Sequence, residues 1–130
     1  MPLAYLKTLG ILFIVPSGKK EASFMNGVSE LLILRLLSRR EMYGYELVAA
    51  IRQASGEVIQ LSEGGVYPLL HSMEHQQLLK SRWMQKDGRS RLYYRLTPKG
   101  KHRLEQTENQ WVRISSAINA VLGGADAKPA

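Results

Sequence analysis

The sequence predicts a mainly helical domain that carries one small, strongly basic two-stranded β wing and ends in a long C-terminal helix. Three observations predict it. Apolar residues from Val28 to Gln77 recur at helical spacing with short polar breaks between runs. Two β-type runs flank Asp87-Gly88, a dipeptide suited to a tight hairpin turn. Thr97-Pro98 then opens a stretch whose apolar positions fall every three or four residues as far as Val121.

With 130 residues, the chain has room for one domain and modest appendages, and can bury a core without staples. Hydrophobic residues make up 45% and charged ones 22%, as in an ordinary globular protein. A formal net charge of +7 suits a polyanionic partner, although charge alone does not separate nucleic acid from an acidic membrane surface. The absence of Cys removes disulfides, thiolate catalysis and Cys-based zinc sites, and is compatible with the cytoplasmic location we expect.

Residues 1–24 read as an N-terminal extension, helical or flexible, upstream of domain sequence that begins after Met25, itself a candidate natural start. Its apolar run, Leu9 to Val15, is too short to cross a bilayer, and no stable membrane association is expected. Val28 to Arg39 is so dense in Leu and Ile that it predicts a buried first helix. A second helix is expected to open at Tyr43-Gly44-Tyr45-Glu46-Leu47 and to stop at Ser55-Gly56, where Gly suits the left-handed C-terminal position. Residues 57–61 read as a short extended segment. Ser62 caps a third helix, with Glu63 favoured by the positive helix terminus. Gly64, Gly65 and Pro68 weaken its first turns, so regular helix is expected only from Val66 to Gln77.

Val66, Leu69, Leu70 and Met73 keep to one face of this third helix, leaving Glu63, Tyr67, His71, Ser72, Glu74 and His75 on or near the other. Alternation in the following hairpin puts Leu92, Tyr94 and Leu96 on a packing face and Arg91, Tyr93 and Arg95 on a basic one. Trp83 is expected to buttress the wing. Half of the chain's Lys and Arg lie between Lys80 and Arg103, with Asp87 as the single acid there. Helix, turn, helix, hairpin is the order of a winged helix-turn-helix, assigned to residues 25–97. We expect double-stranded DNA as its partner, with Tyr43, Ser62, Gly64, Gly65, Tyr67, His71, Ser72 and His75 near the groove. Lys86, Arg89, Ser90, Arg91, Tyr93 and Arg95 are expected to grip from the wing. Tyr43 and Tyr45 have an alternative role, anchoring the second helix.

The last helix, assigned to residues 98–124 ahead of a disordered tail at 125–130, places Leu104, Thr107, Trp111, Ile114, Ile118 and Val121 in a heptad register. Such a seam reads first as a homodimer interface, and second as a face folded back on its own core.

Three stretches carry a family resemblance: Tyr43-Gly44-Tyr45-Glu46-Leu47; Leu61-Ser62 with Val66-Tyr67-Pro68-Leu69-Leu70; and Arg89 to Gly100, RSRLYYRLTPKG. In this order and spacing they resemble the signature stretches of PadR-type transcriptional regulators, over residues 25–122. The resemblance implies a winged helix-turn-helix of the short subfamily that binds an inverted-repeat operator as a homodimer. Such a protein is typically a repressor. It also implies a flat hydrophobic or aromatic effector held at the dimer interface against an aromatic of the last helix, where Trp111 stands. The extension of residues 1–24 departs from the family's pattern. So does Gly64-Gly65, where many members carry Gly followed by Thr or Ser.

No enzyme is expected, since no phosphate-binding Gly-rich loop, spaced acid pair or nucleophile beside a base is present. No cofactor or metal is expected either, His71 and His75 lacking acids or Cys to complete a site. A second reading of a different class is a winged-helix adaptor for proteins or membranes that docks through the N-terminal apolar run.

Overall fold

A computed structural model describes residues 19–124, with side chains from 27 to 123. The expected N-terminal extension lies mostly outside the described residues, as does the expected tail at 125–130. Helix α1 spans Lys19–Leu37, strand β1 Met42–Tyr43, α2 Gly44–Ala54, α3 Glu63–His75, β2 Leu79–Lys86, β3 Arg89–Leu96 and α4 Pro98–Asn119. A wider, π-type turn, Ala120–Gly124, follows α4. No described helix is long and apolar enough to cross a membrane.

The core forms where α1, α2 and α3 converge on the base of the hairpin. Ile33 and Leu34 of α1, Leu47 of α2, Leu70 and Met73 of α3, Leu78, Leu79 and Tyr94 are all fully or almost fully buried. Apart from Leu78 and Leu79, these side chains come from the apolar runs and faces read in the sequence, and burying each contributes roughly 1.5–3 kcal/mol.

The stops of α2 and α3 use one device. After α2, Gly56 takes φ +64°. The Glu57 amide donates to the Arg52 carbonyl at 2.9 Å and Gly56 to Gln53 at 3.2 Å, which satisfies carbonyls the helix would leave orphaned. After α3 the left-handed residue is Gln77, φ +65°, with Leu78 donating to Met73 at 2.9 Å. The extended segment expected at 57–61 is not a strand. Glu57 is left-handed too, at φ 70°, and the chain is irregular up to Ser62.

Helix α3 starts earlier than expected, at Glu63. The Ser62 hydroxyl accepts the Gly65 amide at 3.1 Å, so the cap holds a first turn that two glycines and Pro68 would otherwise loosen. It also ends two residues earlier, because the left-handed Gln77 closes it.

The sheet has three strands, not the two expected, in the order β1-β3-β2 and antiparallel throughout. Tyr43, expected to open the second helix, and Met42 just before it pair instead with Tyr93 and Tyr94. Tyr43 then serves as the residue before α2, its amide donating to the Glu46 carboxylate at 3.2 Å. The hairpin turn is the two residues Asp87 and Gly88, both left-handed at φ 53° and 75°, with Lys86 opposite Arg89. That twist matches paired β-strands and accounts for Asp-Gly there.

Helix α4 is rooted on this framework. The Thr97 hydroxyl accepts the Gly100 amide at 3.0 Å and donates to the Gln77 carbonyl at 2.7 Å. Gly100 lies against the Leu78 carbonyl oxygen, at a distance no side chain permits. Ion pairs Arg103–Glu30 at 3.0 Å and Arg35–Glu108 at 2.9 Å tie the next turns to α1. Leu104, expected in a dimer seam, is only 6% exposed and joins the domain's own core. The fold-back reading therefore holds for the first turns of α4, because the helix passes directly over α1 there.

Candidate nucleic-acid interface

Helix α3 buries Val66, Leu70 and Met73, and its other face is open. On that face Ser62, Gly64, Gly65, Tyr67, His71, Ser72 and His75 are all exposed. Of these, the Ser62 hydroxyl already accepts the Gly65 amide, and Ser72 accepts the Gln76 side-chain amide at 3.2 Å. Tyr67 and His71 look across to the hairpin. Tyr67 can lie close to α2 only because Gly44 has no side chain, a Cβ there meeting the Tyr67 ring at 2.7 Å.

Between α3 and the hairpin runs an open cleft of about 690 Å³. Tyr67 and His71 line it from α3, Arg89, Ser90 and Arg91 from β3, Tyr43 from β1 and Tyr45 from the first turn of α2. Six predicted contact residues thus come together in one place: Tyr43, Tyr67, His71, Arg89, Ser90 and Arg91. Ser62, Gly64 and Gly65 stand at the α3 N-terminus and Lys86 at the hairpin tip. Ser72 and His75 are exposed on α3 outside the cleft wall. Arg95 is exposed at the hairpin base, across from Lys80, away from the cleft.

Tyr93 does not lie on an open face as expected. It is 4% exposed, because β1 lays Tyr43 against it with ring centroids 5.3 Å apart in an edge-on arrangement. Cations flank this aromatic pair. The Arg91 guanidinium carbon sits 4.6 Å from the Tyr43 ring centre, and the Lys86 Nζ 5.9 Å from that of Tyr93. Each contact favours holding a cation beside the ring and so orders a side chain that would otherwise be free.

The basic cluster sorts into two groups. Arg82 is engaged by Glu41 through bonds of 3.0–3.2 Å, Arg103 by Glu30, and Lys99 by the Gln76 carbonyl at 2.9 Å. Arg89 and Arg91, at the cleft, have no carboxylate partner among the described residues. Like charges left unneutralised on the rim of an open cleft attract a polyanion.

Trp83 departs most from expectation. It does not buttress the hairpin but is 69% exposed, and it lines the same cleft. Tyr94 also lines the cleft, and its hydroxyl is buried without a hydrogen-bond partner among the described residues. Burial pushes the Tyr94 phenol above its ordinary value, with Glu74 and Tyr67 adding to the effect. Among the described residues no group of three or more His, Asp or Glu is placed to hold a metal ion.

Three helices, a hairpin wing and an unneutralised basic cleft between helix and wing define a winged-helix nucleic-acid-binding protein. Comparison with known proteins makes the class specific. Residues 33–106, more than half of the chain, match the transcriptional regulator PadR-like family, and the chain belongs to that family. A transcriptional regulator of Mycobacterium tuberculosis is 32% identical over 101 residues, covering 78% of this chain and 89% of that protein. The crystal structure of a PadR-like transcriptional regulator from Bacillus cereus superposes with a TM-score of 0.69 at 34% identity, covering 78% of this chain and 98% of that one. A PadR family regulator from Eggerthella lenta gives a TM-score of 0.70 at 27% identity over 94% of this chain and 98% of its own. The protein is accordingly a DNA-binding transcriptional regulator and not an enzyme.

Proposed function

We propose that the protein is a cytoplasmic repressor that binds an inverted-repeat operator as a homodimer and is released by a flat hydrophobic or aromatic effector. The observation that carries the reading is the far half of α4. Trp111, Val112, Ile114 and Ile118 of α4, with Val121 and Leu122 of the turn after it, are all exposed, Trp111 at 45%, beyond a near half that is tied to the core. A contiguous apolar strip of this kind on a basic, water-facing domain needs a cover. A second copy supplies one and sets two α3 helices at a fixed spacing, as a two-fold operator requires.

The seam runs through Thr107, Trp111, Ile114 and Ile118, with Val121 in the wider turn where the heptad phase shifts. Trp111 also borders a small groove of about 240 Å³ between α4 and α1, walled by Val28, Leu31 and Ile114. That groove is where the effector would sit. Domain limits at residues 25–97 for DNA binding and 98–124 for dimerisation belong to the same reading, as do α3 and wing contacts through the residues named above.

Replacing Ile114 and Ile118 with Glu tests it. The expected outcome is monomers by light scattering, and loss of affinity for an operator recovered by selection from genomic fragments. An unchanged mass with unchanged operator binding would remove the seam from the account.

A further inference from the structure

Hairpin register puts Leu79, Ser81, Trp83 and Gln85 of β2 on one face with Leu96, Tyr94, Leu92 and Ser90 of β3. Near the base this face is core, and Leu79 and Tyr94 are buried. One rung beyond Tyr94 the hairpin has outrun the helices, and the same face presents Trp83, 69% exposed. An indole thus stands at a packing position with almost nothing packed on it, overhanging a cleft walled by Tyr67 and His71 and flanked by Arg89 and Arg91. The fold gains little from it there.

We propose that the cleft between α3 and the hairpin is a slot for one sugar–phosphate strand of DNA. In it, Trp83 lies against a deoxyribose or a thymine methyl, while Arg89 and Arg91 bind the neighbouring phosphates. The inference rests on the DNA-binding reading of the fold and goes beyond it in giving Trp83 a direct, non-ionic contact. A nucleic-acid strand alternates anionic phosphates with apolar sugar and base surfaces, and the cleft alternates guanidinium groups with aromatic ones. A free phosphate would use the arginines and leave the indole in water. Phosphate contacts release counterions and weaken with salt, whereas an apolar contact does not, so the two contributions separate experimentally.

Emission is followed in the full chain carrying Trp111→Phe, so that Trp83 is the one remaining tryptophan of the two, with saturation of that chain shown by anisotropy, while every affinity and salt slope, the parent's included, is measured in the chain that keeps Trp111. An unlabelled mixed-sequence duplex is titrated at low salt while indole emission and acrylamide quenching are followed. Duplex affinity is read separately by anisotropy of a labelled copy. Expected are a change in Trp83 emission with protection from acrylamide on saturation, and a roughly tenfold loss of affinity for Trp83→Ala at an unchanged salt slope. Trp83→Phe should fall between the two. Unchanged emission and acrylamide access at saturating duplex, with parental affinity for Trp83→Ala, would overturn the slot and leave DNA binding standing. A salt slope that falls in Trp83→Ala assigns the loss to displaced arginines and also overturns the direct contact. A parent chain that binds no duplex takes down both readings. The emission readout is made with Trp83 in place and needs no substitution at that position.

Discussion

The hairpin and the far half of α4 both project from one small core, and both leave large apolar side chains in water. They differ in what surrounds those side chains. The cleft that Trp83 lines also holds Arg89, Arg91 and four tyrosines, so its surroundings are cationic and hydrogen-bonding. Around Ile114 and Ile118 stand Val112, Trp111 and small polar residues, with one nearby charge, Arg113. Exposure in the two places therefore points to unlike partners. A surface that mixes aromatic and guanidinium groups fits a polyanion with apolar faces, whereas an aliphatic strip fits another aliphatic strip.

The two projections share one root, and the largest expected effect comes from disturbing it. Gly100 lets α4 start directly against the Leu78 carbonyl at the hairpin base. A methyl there strikes a backbone oxygen that cannot swing aside, since the Leu78 carbonyl also accepts the Thr97 amide at 3.1 Å. Gly100→Ala should cost about 3 kcal/mol. For a domain of this size that lowers Tm by roughly 10–15 °C, read by circular dichroism. Parental melting would mean that α4 and the hairpin are not rigidly joined, and the comparison between them would lose its common frame.

A smaller effect separates the projections. Arg89→Ala with Arg91→Ala should weaken duplex binding about tenfold and lower the salt slope by about two, one for each lost phosphate contact. The mass in solution should stay as in the parent. Retention of the full slope would place the phosphate contacts elsewhere in the basic cluster. A change in mass would show that the hairpin and the α4 strip are not independent.

Much of this was legible in the residues. Helical spacing gave the three core helices, Asp87-Gly88 the turn, and Thr97-Pro98 the start of α4, because each rests on a local rule about dihedrals or caps. The misreadings at β1, Tyr93, Trp83 and Leu104 were all decided by long-range contacts. Met42-Tyr43 is too short to show a strand period, and becomes a strand only because the edge of β3 is there to pair with. Alternation gave Tyr93 the correct face, yet that face is closed by Tyr43, fifty residues earlier in the chain. Trp83 pairs with Leu92 and so shares the packing face, but that face has left the core behind by that rung. Leu104 obeys the heptad and is nonetheless taken by the core, since α4 crosses α1 before it runs free. Periodicity reports which side a residue is on, and it carries no information about what lies opposite.

The smallest expected effect lies where the hairpin meets the body, at Tyr94. Its hydroxyl is fully buried without a partner among the described residues, so the folded state gives up a hydrogen bond to water and gains none in return. Tyr94→Phe removes the group without opening a cavity of any size. We expect it to be neutral or to stabilise by up to about 1 kcal/mol at neutral pH, measured by urea denaturation. The pH dependence gives the sign independently. Because burial raises the Tyr94 phenol above its ordinary value, the folded chain keeps this proton where the unfolded chain has lost it. Stability of the parent therefore falls as pH rises past about 10, and the Phe variant escapes that part of the loss. The advantage of Tyr94→Phe should widen at alkaline pH. A gap that closed instead would mean that the hydroxyl does have a partner, and that the joint between hairpin and body is more polar than its packing indicates.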